Sequence, residues 1–185
     1  MGLVKLKTAV VYWSNTGNTE KVAEAVRQGL EDAGMKPTMH RVEETEGVDY
    51  ADYGLFCLGF PSFEWHPPKP VTDYLRRNLV KHRKMGLVKT GSPRVPGKHA
   101  LIFCTYSGPH TGLNEATPAV KYAGQFFEHI GFDVAAEWCI LAEFHGREEE
   151  STKGRMGDIR GKPTEEDLEK VREDTRRLAL SLRGT

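Results

Sequence analysis

Apolar and polar positions along this chain follow two periods in turn. Thr8 to Trp13 is a continuous apolar run, as expected for a strand buried on both faces. Val22, Ala23, Val26, Leu30 and Ala33 then recur at helical spacing, which predicts a helix over Thr19–Ala33 with Gly34 as its stop. A short strand is expected at Thr38–Val42, and a buried one at Tyr53–Gly59, closed by Phe60-Pro61. Val71, Tyr74 and Leu75 give the inner face of a helix over Pro70–Leu79, with Pro70 in its first turn. His99–Thr105 reads as a strand. Thr117–Ile130 reads as a helix with Val120, Ala123, Phe127 and Ile130 inward, and Val134–Leu141 as the last strand. Thr164, with Asp167 three positions on, carries a capping-box pattern. Leu168, Val171, Leu178 and Leu182 give the helix that follows one apolar stripe, expected to dock on the sheet, with a dimer contact as the alternative.

Strands alternating with helices predict right-handed βαβ units, so an α/β fold with a parallel sheet of five strands. Ligands on such sheets bind beyond the carboxyl ends of the strands, at the switch point in strand order. The loops after strands 1, 3 and 4 therefore belong together: Ser14–Thr19, Pro61–His66 and Tyr106–Gly112. Lys81–Gly97 is a long polar connection with several Lys and Arg. A solvated loop is expected there, and a basic rim for an acidic partner or a cofactor phosphate is the sharper alternative. Arg147–Pro163 is charged and glycine-rich and reads as irregular. Residues 1–146 are expected to form the core, with 147–185 adding a polar loop and a helix to the same domain.

The first of the three loops offers hydroxyls at Ser14, Thr16 and Thr19, a free Gly17, and Asn15 and Asn18, directly before an amphipathic helix. Backbone N–H groups at a helix start make a phosphate cup. A triphosphate site of the G-x-x-x-x-G-K-[ST] type would add a lysine, so its absence predicts a terminal monophosphate held by neutral donors and the helix dipole. The plain alternative is an Asn/Gly turn with Thr19 as cap. The second loop crowds Phe63 and Trp65 among Pro61, Ser62, Glu64 and His66. Aromatics on a proline-stiffened polar loop suit stacking on a flat ring, unless they fold inward as a satellite cluster. The third loop brings Thr105, Tyr106, Ser107, Gly108, His110 and Gly112, which can meet the polar edge of a heterocycle.

The bulk numbers narrow the class. A chain of 185 residues suits one domain, and 38% hydrophobic with 28% charged residues is ordinary for a water-exposed globular domain. The 26 basic and 26 acidic side chains cancel, which gives no reason to expect nucleic acid or an anionic membrane as partner. No apolar run approaches the roughly 20 residues of a membrane span. Met1–Lys7 lacks the apolar core of a signal peptide, so a cytoplasmic location is expected. Cys57, Cys104 and Cys139 lie in strand-like runs with no metal-ligand spacing and read as reduced core residues.

Ser14-Asn15-Thr16-Gly17-Asn18-Thr19, Gly59-Phe60-Pro61 and Thr105-Tyr106-Ser107-Gly108 together make the chain resemble the flavodoxin-like FMN proteins over about Lys7–Gly146. The resemblance implies a three-layer sandwich with sheet order 2-1-3-4-5 and FMN as cofactor. It implies that residues 14–19 hold the FMN phosphate. The ring would then lie between Pro61, Ser62, Phe63, Glu64 and Trp65 on one side and Thr105 to Gly112, with Tyr106 and His110, on the other. Small carrier flavodoxins are strongly acidic, whereas this chain is neutral, and the tail beyond Arg147 extends past the usual fifth strand. The reading that follows is an oxidoreductase passing electrons from reduced FMN to a small acceptor such as a quinone, with NAD(P)H as donor. A one-electron carrier docking on redox proteins is the alternative, and a module that keeps the fold without using the flavin is a third. His66 or His110 near the ring's N1–C2 edge would stabilise the anionic reduced flavin, and a homodimer is left open. A response-regulator receiver needs carboxylates where Ser14-Asn15 and Gly59-Phe60-Pro61 stand, and a serine hydrolase needs a G-x-S-x-G elbow that is missing.

Overall fold

The computed structural model describes residues 6–182. Five parallel strands form one sheet: β1 (Thr8–Tyr12), β2 (Thr38–Arg41), β3 (Leu55–Pro61), β4 (His99–Tyr106) and β5 (Asp133–Leu141), in the order β2-β1-β3-β4-β5. Val10 pairs with Met39 on one side and Cys57 on the other, and Phe60 with Cys104. The order reverses between β1 and β3, so the loops after β1, β3 and β4 meet at one edge of the sheet.

The central strands are buried on both faces, which is why they read as unbroken apolar runs. Alternation sends Val10, Leu55, Cys57, Leu101 and Phe103 to one face, under α1 (Asn18–Asp32) and α5 (Glu165–Ser181). Ala9, Val11, Phe56, Leu58, Ala100 and Ile102 go to the other, under α2 (Lys69–Lys84) and α3 (Thr117–Glu128). The capping box is present: Asp167 N–H donates to Thr164 Oγ1 and Thr164 N–H to Asp167 Oδ2. The apolar stripe of α5 lies against α1 as well as the sheet face, with Val171 and Ala179 buried. The two helices touch at Gly29, where a Cβ would stand 2.3 Å from the Arg172 carbonyl oxygen.

Two stretches differ from the sequence pattern. The helix expected to end at Leu79 runs on to Lys84, so the first residues of the 81–97 connection are helical. Its last turn is polar except inward, where fully buried His82 meets buried Asp49, Nε2 to Oδ1 at 2.7 Å. Lys81 Nζ reaches the other carboxylate oxygen at 2.6 Å. The irregular 147–163 stretch contains a short helix, α4 (Glu148–Thr152), and its Ile159 is buried. Cys57 and Cys104 are buried and Cys139 half-buried, all three free. Among the described residues no helix is long and apolar enough to cross a membrane, and no His/Cys/Asp/Glu group could hold a metal ion.

Candidate functional site

The end of β1 leads into a turn that starts α1 without a side-chain cap. Gly17 sits at φ +95°, a left-handed geometry that a side chain resists, and this angle swings the chain into the helix. Ser14, nearly buried, accepts the Gly17 N–H through its hydroxyl at 3.0 Å. The N–H groups of Asn15, Thr16, Asn18 and Thr19 meet no acceptor among the described residues. The first amides of a helix normally find a cap, so this group of donors suits an external anion. Thr19 is not the cap: its hydroxyl pairs with that of Thr105 on β4 at 2.8 Å. Arg41 of β2 donates to the Ser14 carbonyl at 3.1 Å but also pairs with Glu20 and Glu43, so the cup gains no unpaired cation. Burial and the hydrogen bond to Glu20 raise the Tyr12 phenol pKa, keeping it protonated beside the cup.

After β3 the chain folds Phe63 back on His66 through two backbone hydrogen bonds of 2.9 Å. The two residues at the tip, Glu64 (φ 47°) and Trp65 (φ 66°), are both left-handed, the geometry of a two-residue I′ hairpin usually filled by Asn-Gly. Their strain holds Trp65 57% and Phe63 45% exposed, so the aromatics are displayed rather than folded inward. Trp13 meets the Phe63 ring edge-on at 5.7 Å.

The loop after β4 is closed by Gly112 N–H to Gly108 O at 3.1 Å. Gly108 is left-handed, and a Cβ on it would stand 2.7 Å from the Gly112 carbonyl oxygen, so only glycine closes the loop this tightly. The N–H groups of His110 and Thr111 are taken by the Glu115 carboxylate. Those of Ser107 and Gly108 meet no acceptor among the described residues and are the donors left for a ligand edge.

These three loops line one cavity of about 880 Å³. Its lining takes in Ser14, Asn15, Thr16, Asn18 and Thr19 from the first loop, Pro61 to Trp65 from the second, and Thr105 to Gly108 with His110 from the third. Gly17 and Gly112 shape the loops without lining it, and nothing from 81–98 reaches it. A fourth wall, absent from the sequence expectation, comes from Ala142 to His145 after β5. Asn18 Nδ2 donates to the Glu143 carbonyl at 3.0 Å, and Ser107 Oγ to that of Ala142 at 2.8 Å, so this wall joins the first loop to the third. Arg155 N–H donates to the Pro109 carbonyl at 2.8 Å, which gives the 147–163 stretch its role as a brace behind the third loop. Burial pushes the Cys104 thiol well up, so it serves as packing and not as a nucleophile.

The sheet order and the cavity at its strand-order switch give the chain a flavodoxin-like fold, and comparison with known proteins agrees. The Flavodoxin family model matches residues 10–70, from β1 through the second loop. A flavodoxin of Megasphaera elsdenii is 29% identical over 97 residues, 52% of this chain and 63% of that protein. A flavodoxin from the domain Archaea superposes with a TM-score of 0.63 at 17% identity, over 95% of this chain and 98% of that one. A flavodiiron core from Synechocystis superposes with a TM-score of 0.62 at 17% identity, over 97% of this chain but 36% of that one. The chain spans less than two thirds of the length of the curated relatives it matches first, 63% of one and 38% of the other. The chain shares the flavodoxin-like fold and is similar over part of its length to flavodoxins, proteins that bind FMN. The donor set fits that group: unpaired amides without a lysine in the first loop for a monophosphate, and aromatic side chains in the second with two open amides in the third for a flat heterocycle.

Proposed function

We propose that the chain is an FMN-dependent redox protein, and in the finer reading an oxidoreductase that passes electrons from the reduced cofactor to a small acceptor such as a quinone. One observation carries this most. The uncapped start of α1 and the displayed aromatic hairpin line a single cavity, as a ligand with a phosphate tail and a planar ring requires. The amides of Asn15, Thr16, Asn18 and Thr19 would hold the phosphate with the helix dipole. Phe63 and Trp65 would flank the ring, with the largely buried Tyr106 at the cavity wall, and the Ser107 and Gly108 amides would bond its polar edge. When bound, FMN supplies reversible one- and two-electron transfer. The chain's part is to bind it, orient it and fix the charge around it.

In this reading NAD(P)H is the donor, the protein works in the cytoplasm, and residues 147–185 are part of one domain with 1–146. The α5–α1 contact and the brace on Pro109 support that last point. The carrier reading gains support from the lining, where Glu115 and Glu143 join Glu64. Carboxylates beside the ring would disfavour added negative charge and lower the potential at which it is reduced. Anaerobic titration separates the two. Bleaching of the flavin absorbance by NADH or NADPH, followed by its return on adding a quinone, supports the oxidoreductase. Bleaching by dithionite alone supports the carrier.

A further inference from the structure

Glu115 stands just before α3, outside all three loops, yet it bonds to two of them. Its carboxylate Oε1 accepts the His110 N–H at 2.8 Å, the Thr111 N–H at 2.6 Å and the Thr111 hydroxyl at 3.4 Å. Its backbone carbonyl accepts the Ser62 hydroxyl at 2.5 Å. Ser62 belongs to the second loop, and His110 and Thr111 to the third. One residue thus joins the two loops that face each other across the cavity, and it lines that cavity itself. Among the described residues, the other hydrogen bond between these loops is Ser62 N–H to Thr105 O at the strand ends, 2.9 Å. Glu115 ties the outer residues of the third loop, His110 and Thr111, back to that same Ser62 at the base of the second. Its Oε2 meets no donor among the described residues, so the carboxylate's charge is only partly compensated.

We propose that Glu115 is the positioning residue of the ring site: it sets the spacing of the two loop walls before a planar ring enters and places a negative charge beside that ring. The proposal rests on the FMN reading above. Preorganised walls raise affinity because their ordering is complete before the ligand arrives. A buried or half-buried carboxylate next to a ring that gains negative charge on reduction weakens binding of the reduced form more than the oxidised one. The two effects separate by substitution. Glu115→Gln keeps an acceptor oxygen for both amides and removes the charge. Glu115→Ala removes both.

The test uses the whole chain, with FMN and riboflavin as probes read by quenching of flavin fluorescence. Amide exchange at His110 and Thr111 is read in the ligand-free protein. Glu115→Ala is expected to weaken FMN and riboflavin alike, about tenfold, and to strip the protection of the two amides. Glu115→Gln is expected to restore protection and oxidised-flavin affinity to within about threefold of wild type. It is also expected to raise the affinity for reduced relative to oxidised FMN about tenfold, which is about 30 mV for a two-electron couple. Wild-type affinity in Glu115→Ala, loss in Glu115→Gln as deep as in Glu115→Ala, or loss confined to FMN would each overturn the proposal. Wild-type protein that binds neither flavin at micromolar concentration overturns the parent FMN reading instead, a result visible before any variant is made.

Discussion

The two hydroxyls that join the phosphate cup to the sheet give a sharp prediction. Thr19 Oγ1 and Thr105 Oγ1 lie 2.8 Å apart, and the residues are 1% and 3% exposed, so neither has water to fall back on. Changing either one alone to Val removes a hydrogen bond and strands its partner, at a cost of about 1–3 kcal/mol. Changing both leaves two isosteric apolar groups in contact, and the stranded-group penalty disappears. The double variant is therefore expected to be less destabilised than the sum of the singles by about 1 kcal/mol or more, the coupling of residues in direct contact. The assay is urea unfolding of the ligand-free protein for all four members of the cycle. The same proteins titrated with FMN report on the cup, because Thr19 is the second residue of α1 and its N–H is one of the four open donors. Strict additivity in stability would refute the geometry, since it would mean that the two hydroxyls do not share one bond.

Three further outcomes follow from particular contacts. Gly29→Ala should destabilise the fold by about 1–3 kcal/mol in urea unfolding, although helix propensity alone favours Ala by about 0.5–1 kcal/mol, because its Cβ would meet the Arg172 carbonyl oxygen at 2.3 Å. Stabilisation would show that α5 does not sit on that face of α1. Trp65→Gly relieves one left-handed residue and should raise stability by about 1 kcal/mol while weakening flavin binding, a trade read by thermal melting and fluorescence titration. Burial raises the Asp49 carboxyl pKa, but hydrogen bonds from His82 and Lys81 outweigh it and hold it well below the usual carboxylate range. Its contribution is complete above the unfolded value, about pH 4, and is lost as pH falls towards the folded one. Asp49→Asn should lower stability at neutral pH and flatten the decline below about pH 4, as followed by circular dichroism. An unchanged acid slope would count against the buried pairing.

The sheet was readable because its strands are buried on both faces and its helices carry one apolar stripe, so local pattern and tertiary position agree. The three loops were readable because strand order alone brings them together. What escaped the sequence depends on contacts between distant residues. The last turn of α2 looks like a solvated basic run until Asp49, 33 positions earlier, is seen to receive His82. The wall from Ala142 to His145 and the brace at Arg155 lie in a charged stretch with no period to read. Glu115 gives no local signal, yet it takes the His110 N–H in the loop expected to meet a heterocycle's polar edge. The exposure of Phe63 and Trp65 rests on two left-handed residues that carry no Asn or Gly to announce a hairpin.

The central claim is that the open amides at the start of α1 hold a monophosphate whose ring lies between the two facing loops. The most direct measurement is a titration of FMN and of riboflavin into flavin-free protein, read by fluorescence quenching. One FMN per chain is expected to bind at micromolar affinity or tighter, with riboflavin weaker by about tenfold or more because the charge-assisted bonds to the cup are missing. No FMN binding at micromolar concentration, or equal affinity for the two flavins, would contradict it.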